Sequence, residues 1–500
     1  MKITLPILGW AFLVAMLISI GLWTWDVTEQ FEAWSALPDA LSNTFDSPHG
    51  QGIALWALVR GFVPVGFTLY MLDQFDDRDR NKRVVRGARV VHQGELTKKT
   101  RTKQQQIEIA GVPVPGNCEP SHFLFAGSTG VGKTVATDEV LRHALARGDR
   151  VIVVDPNGHA LSRFGKKGDV LLNPFDRRAP GWSIFNEYRK PFDFERFAKS
   201  VVPDSADAGV QQWHGYAQQL LAEITRAMSQ AGETNTERLL YWATQAPAKK
   251  LATFLAGTAA SGLFEPDAEK ALASTRFVLA HYVGVFQHLQ PGDFSLRDWL
   301  GKSQGNLFIT WREDMLLALK PLVSAWVDIL VASILTLPDD QPRPLWLVLD
   351  ELASLERLSS LEAGLTKGRK HGLRVVAGLQ SVSQLDALYG LHNAKTLRSC
   401  FRNLLALGCS NSDPHTALEI SNGLGQCEVE RTQTTRSNGK DGSSTSTSLQ
   451  RTTEPAVLPA ELMAVPPLHG YLKFAGDYPI GKIRLVPQDY PVRLQPFIER

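Results

Sequence analysis

Along this chain the spacing of hydrophobic and polar positions changes several times, and each change predicts an element. His122-Phe-Leu-Phe-Ala126 reads as a short buried strand. From Lys133 to Arg147, Val135, Val140, Leu141, Ala144 and Leu145 fall at helical spacing, and Gly148 is a stop signal. Arg150 to Val154 reads as a second buried strand, ending in Asp155-Pro156, and Asp169 to Leu172 as a third, ending in Asn173-Pro174. Later strands are predicted at Asn306 to Thr310, Pro344 to Leu349, Arg374 to Gly378, Leu404 to Leu407 and Tyr471 to Phe474, with helical segments between most of them. This alternation predicts an α/β fold whose mostly parallel central sheet is covered on both faces.

Two stretches interrupt the alternation. Residues 189–300 lack strand periodicity and are rich in Ala, Leu, Gln and Glu, as in YAQQLLAEITRAM at 216–228, so an inserted all-α domain is expected there. Its aromatics, Trp213, Trp242 and Phe254 among them, suit helix packing better than base stacking. Thr432 to Glu454 is rich in Ser, Thr and Gly, offers little apolar surface to bury, and is expected to be a long solvated loop.

Two apolar spans open the chain, Ile3 to Trp23 and Gly52 to Leu72, each long enough to cross roughly 30 Å of hydrocarbon as a helix. Between them residues 24–51 carry Asp26, Glu29, Glu32, Asp39 and Asp46 without Lys or Arg, whereas Arg78, Arg80, Lys82, Arg83, Arg86 and Arg89 follow the second span. The positive-inside rule then places the bulk of the chain in the cytoplasm. Arg60, inside the second span, is expected to face the partner helix or snorkel. The basic run from Arg78 to Lys103, including KKTRTK at 98–103, suits anionic headgroups first and DNA phosphates second. The expected organisation is a membrane domain at 1–76, a nucleotide-binding domain at 77–188 and 301–500, and the all-α insertion at 189–300.

Composition adds bounds. With 500 residues, 53 basic against 51 acidic side chains and 44% hydrophobic positions, the chain suits two or three globular domains with a membrane tether, and no global charge asymmetry announces nucleic acid. Cys118, Cys400, Cys409 and Cys427 form no C-x-x-C pair and the twelve histidines no H-E-x-x-H, so neither a zinc site nor a disulfide framework is indicated.

The chemistry concentrates in two places. Residues 127–134 read GSTGVGKT, a complete G-x-x-x-x-G-K-[ST] phosphate loop between a predicted strand and a predicted helix. Gly127, Ser128, Thr129, Gly130, Val131 and Gly132 would present backbone N–H groups to phosphate at a helix N-terminus, and Lys133 would reach the β- and γ-phosphates of ATP. Residues 345–351 read LWLVLDE, an apolar strand ending in two carboxylates. Thr134 and Asp350 would hold Mg2+, the latter through water, and Glu351 would polarise the water that attacks the γ-phosphorus. If the strand at Arg374 to Gly378 lies beside the one ending at Asp350, Gln380 emerges at the same sheet edge and can sense the γ-phosphate or position water. A helix-capping or surface role for Gln380 stays open, and Arg369 is either an arginine finger for a neighbouring subunit or an exposed side chain.

These residues resemble the type IV secretion coupling proteins, the inner-membrane DNA-translocating ATPases of bacterial conjugation. The resemblance rests on the two N-terminal spans, IEIAGVPVPGNCEPSHFLFAGSTGVGKT at 107–134, VVDPNGH at 153–159, LLNPFDRRAPGWSIFNEY at 171–188, LVLDELASL at 347–355 and GLQSVSQL at 378–385. It implies a RecA-like motor with an all-α domain, assembled as a homohexameric ring that grips DNA through its phosphates without reading sequence. It also implies a relaxase-bound DNA substrate, secretion-channel partners in the membrane, Arg369 as the trans finger and Gln380 as the nucleotide sensor. Two other classes fit parts of the pattern: a chromosome-segregation pump of the FtsK type, and a docking protein that binds ATP without turning it over.

Overall fold

A computed structural model describes residues 5–30, 48–76, 82–302, 304–339, 344–439 and 442–500. The chain forms two compact units, residues 1–87 with 427–454, and residues 88–426 with 455–500.

The first unit opens with helices Leu5–Gln30 and Pro48–Asp76, which overlie the two predicted spans and pack against each other, Phe12 edge-on to Phe62 at 5.5 Å between ring centroids. Arg60 does face the partner helix, where its guanidinium meets Asp26 at 3.0 Å. The helices contain the apolar stretches Ala11–Asp26 and Gln51–Gly66. Residues 31–47, most of the expected outer loop, and Arg78 and Arg80 lie outside the described residues.

Strand β1 (Lys82–Gly87) belongs to this unit too; the remaining strands are, in chain order, β2 (Val90–His92), β3 (Glu108–Ile109), β4 (Val112–Pro113), β5 (Phe123–Ala126), β6 (Arg150–Pro156), β7 (Val170–Leu172), β8 (Leu307–Trp311), β9 (Leu345–Leu349), β10 (Leu373–Leu379), β11 (Asn403–Leu407), β12 (Gln426–Gly439), β13 (Gly442–Pro455), β14 (His469–Lys473) and β15 (Ile480–Arg484). Here one expectation fails. The stretch from Thr432 to Glu454 is not a loop but most of a long hairpin, β12 against β13, with β12 also pairing antiparallel to β1. The expectation weighed only apolar content. Threonine has a high strand propensity, and ion pairs Arg431–Glu454 at 2.8 Å and Arg451–Glu430 at 3.2 Å tie the strands across the ladder.

The second unit is built on a ten-stranded sheet in the order β2-β15-β14-β11-β5-β10-β9-β6-β8-β7. From β11 to β7 every pair is parallel; β14 runs antiparallel to both β11 and β15. Every residue of β5, β8 and β9 is buried, because helices cover both faces, and that is why these strands read as unbroken apolar runs. On one face the buried helix Leu316–Ile334 sets its Trp326 edge-on to Trp182; the other face carries helix Lys133–Arg147. The segment Glu313–Ile334 is apolar and long enough to cross a membrane, yet it is mostly buried inside the protein.

Between β7 and β8 the named elements among the described residues are all helical, with Asp193–Val201, Ala208–Gln230, Glu269–Val283 and Leu296–Lys302 among them. Glu187 ties the two ends of this stretch together: its buried carboxylate accepts from Trp182 Nε1 at 2.8 Å, Leu296 N at 2.8 Å and Ser295 Oγ at 3.1 Å. Trp242 stacks on Phe254 at 4.1 Å, as helix packing requires. In the basic run after β1, Arg89 pairs with Glu95, and Lys99 lies 3.5 Å from the same carboxylate. The four cysteines form no disulfide, and no group of metal-ligating side chains gathers among the described residues.

Candidate functional site

The site begins where β5 stops. Gly127 N donates to Leu379 O at 3.0 Å and Ser128 N to Gly408 O at 2.8 Å, so the ends of β10 and β11 fix the start of the phosphate loop. Gly130 and Gly132 adopt φ of 77° and 114°, a region that costs side-chain-bearing residues strain. At Gly132 a Cβ would also stand 2.9 Å from Leu468 Cδ2. Helix Lys133–Arg147 starts directly after, with the unpaired N–H groups of its first turn and its dipole favouring anions at this end. Lys133 Nζ folds back onto Gly127 O at 2.7 Å and Ser128 O at 3.1 Å, the place a phosphate oxygen would take.

Asp350 and Glu351 follow β9, and burial dominates the electrostatics around them. It lowers the Lys133 pKa, opposed by Glu351 and then Asp350. It raises the Asp350 pKa, opposed by Lys133, His159 and a hydrogen bond from Thr134. It raises the Glu351 pKa as well, opposed first by Lys133 and then by the amides of Ala353 and Gln380. Those amides lie near Glu351, yet neither carboxylate oxygen has a donor in good hydrogen-bond geometry. A buried carboxylate with both oxygens unbonded is costly unless water or a ligand completes it. The donor set of Thr134 hydroxyl, Asp350 carboxylate and adjacent Lys133 therefore fits a Mg2+-nucleotide.

Sheet order explains how Gln380 joins them. Strand β10 lies between β5 and β9, in register with both, so Gln380 leaves the sheet between the phosphate loop and the acidic pair. Thr129 Oγ1 donates to Gln380 Oε1 at 3.0 Å. The strands meet closely here: a Cβ on Gly378 would lie 1.8 Å from Asp350 O, so only glycine fits. A cavity of about 490 Å3, bordered by Glu351, Ala353, Ser354, Gln380 and Gln384, opens beside them.

Arg369 is not brought here. It stands exposed on the turn Gly368–His371, before β10 begins, and the seven residues of that strand put it roughly 20 Å away at the opposite edge of the sheet.

Several residues at the site were missed from sequence. Asp155, at the end of β6, is fully buried and caps the next helix by accepting from Ala160 N at 3.0 Å and Leu161 N at 2.8 Å; burial, with Asp350 and Asp138 nearby, pushes its pKa up to about 7. Asp138 pairs with Arg163, and burial still raises its pKa to about 6. The signal was available in VVDPNGH, which follows an apolar strand as LVLDE does. The LNPFDRR motif has a different use: buried Asp176 accepts from Arg178 Nη2 at 2.6 Å and Ile498 N at 3.0 Å, which fastens residues 493–500 near the turn at Gly158.

Taken together, the parallel sheet, phosphate loop and paired carboxylates define a RecA-like, nucleotide-binding P-loop protein. A family model described as the type IV secretion-system coupling protein DNA-binding domain matches residues 106–486, and the chain belongs to that family. It is 46% identical to the bacterial conjugative coupling protein TrwBdeltaN70 in its unbound form, with a TM-score of 0.79 over 84% of this chain and 96% of that one. The plasmid coupling protein TrwB in complex with ADP and Mg2+ matches with a TM-score of 0.78, also at 46% identity, over 84% of this chain and 98% of that one. Among curated proteins, the coupling protein TraD of Escherichia coli is 29% identical over 417 residues, 80% of this chain and 57% of that protein. The conjugal transfer protein TraG of Agrobacterium fabrum is 26% identical over 381 residues, 70% of this chain and 57% of TraG. The chain thus spans little more than half the length of these two curated relatives.

Proposed function

We propose that this protein is an inner-membrane ATPase that couples relaxase-bound DNA to a type IV secretion channel and drives its transfer during conjugation, acting as a hexameric ring anchored by two membrane spans. The observation that carries the reading is the buried Glu351 carboxylate, unbonded at both oxygens and set between Lys133 and Gln380. A protein that only binds nucleotide does not require a buried base at that position.

In this reading Lys133 leaves the Gly127 and Ser128 carbonyls for the β- and γ-phosphates, and residues 127–132 cradle the phosphates through backbone N–H groups. Thr134 and Asp350 would hold Mg2+, which would supply charge neutralisation on the phosphates. Glu351 orients and deprotonates the attacking water, and Gln380, already tied to the phosphate loop through Thr129, senses the γ-phosphate. Arg369, remote from the site of its own chain, serves the site of the next subunit. DNA is held through its phosphates, so affinity falls with salt and sequence goes unread.

The test is ATP turnover of the full chain in detergent, with and without single- and double-stranded DNA, at two salt concentrations. DNA-stimulated, salt-sensitive turnover is expected, falling by about 10²- to 10⁴-fold in Glu351→Gln while nucleotide still binds. Full turnover in Glu351→Gln removes the assigned base, and turnover indifferent to DNA favours a docking role.

A further inference from the structure

One stretch of chain joins the two groups assigned to separate ATP sites. From Glu351, at the edge where the strands end, residues 352–360 lead to helix Leu361–Lys367 and then to the turn Gly368–His371 that bears Arg369. Leu352, Leu355, Leu358 and Leu361 are buried in the same core as helix Leu316–Ile334. Residues 355–360 belong to no helix or strand, so their backbone donors need partners from elsewhere. Side chains supply them. Glu356 N donates to Ser324 Oγ at 2.8 Å, Leu358 N to Tyr389 Oη at 3.1 Å and Ser360 N to Asp328 Oδ1 at 2.6 Å. Tyr389 ends the helix Val382–Tyr389, which starts just after Gln380.

Asp328 holds a second element as well. Buried within helix Leu316–Ile334, its Oδ2 accepts from Ser360 Oγ at 3.0 Å and from Ser200 Oγ at 2.6 Å. Ser200, also buried, stands in the last turn of helix Asp193–Val201, at the start of the all-α insertion. A buried carboxylate is costly to leave without its donors, so a displacement of Ser200 is felt at Ser360. We infer that Asp328 is a positioning residue for ATP turnover: through Ser360 it fixes the segment that carries Glu351 and Arg369, and through Ser200 it ties that segment to the all-α insertion. The base of one site and the cation offered to the next then respond together to a shift of the insertion. The inference rests on the proposed function, which gives Glu351 and Arg369 their roles.

The experiment is steady-state ATP turnover and amide hydrogen exchange of the full chain in detergent. Asp328→Ala should lower kcat per folded molecule at least about tenfold with KM for ATP unchanged, since the phosphate loop is untouched while the base is displaced. Asp328→Asn should restore kcat: its amide oxygen still accepts from Ser360 N, and its NH2 can donate to the two hydroxyls. Ser200→Ala deletes one hydroxyl and keeps the variant test open if Asp328→Ala does not fold. Exchange at the Leu358 and Ser360 amides should quicken about fivefold in Ser200→Ala, the loss of one hydrogen bond, and return to the wild-type rate in Ser200→Thr. A wild-type kcat in Asp328→Ala, a loss that Asp328→Asn does not rescue, or unchanged exchange in Ser200→Ala overturns the inference alone. A wild-type chain that does not turn over ATP overturns the proposed function and the inference with it.

Discussion

The two edges of the central sheet are built on opposite principles. At the edge where the strands begin, most polar groups satisfy one another. Arg147 holds both oxygens of Glu119, at 2.7 and 2.9 Å, and also Asp149, whose carboxylate in turn accepts from Trp346 Nε1 at 2.9 Å. Buried His122 stays neutral, its pKa lowered to about 4 by burial; it accepts from Val375 N and so donates to Leu365 O. At the edge where the strands end, Asp138, Asp155, Asp350 and Glu351 all have carboxyl pKa values raised by burial, and Glu351 has no donor in place. A saturated edge belongs to the fold, while an unsaturated one is completed from outside. Two arginines depart from this rule: Arg374, whose buried Nε lacks a partner, and Arg369, exposed and without an ion pair among the described residues.

The largest expected effect would break the comparison at Arg369. Arg369→Ala should leave thermal stability unchanged yet reduce ATP turnover by about 10³-fold or more, the loss expected of a missing arginine finger. Mixing Arg369→Ala with Lys133→Ala chains should restore part of the turnover, because some mixed interfaces contain both groups; no recovery sinks the shared site. Next, Arg147→Met should cost about 3 kcal/mol of stability, because it leaves Glu119 and Asp149 buried without their cation, while turnover per folded molecule holds. Chemical denaturation beside turnover checks both halves.

The smallest effect sharpens the contrast through pH. An Asp155 carboxyl raised from 3.8 to about 7 in the native state keeps its proton there longer than in the unfolded chain. Its contribution to stability is therefore greatest at low pH and is lost as pH rises from about 4 to about 7. Asp155→Asn should flatten the melting-temperature profile of nucleotide-free protein over that window; an unchanged slope would assign the titration elsewhere.

Much of this was legible in the sequence, for identifiable reasons. Parallel strands buried on both faces appear as apolar runs, which placed β5, β6 and β9 and, with them, Lys133, Asp350 and Glu351. Gln380 was legible only on the condition that its strand neighbours the one ending at Asp350, because strand order is set by tertiary packing and not by local spacing. The β12–β13 hairpin escaped because its strands are held by ladder bonds and ion pairs rather than by a hydrophobic face. Asp155 escaped because a carboxylate after a buried strand reads the same whether it caps a helix or holds a metal.

The position of β5 has a consequence for how the protein is made. Its two sheet neighbours are β10 and β11, both encoded more than half the chain downstream. During translation at roughly 5–20 residues per second, the strand that bears the phosphate loop waits tens of seconds with both apolar edges unpaired. A ribosome paused between Ala126 and Leu373 would hold a nascent chain that cannot grip nucleotide and that presents Phe123-Leu-Phe-Ala126 to whatever chaperone is near.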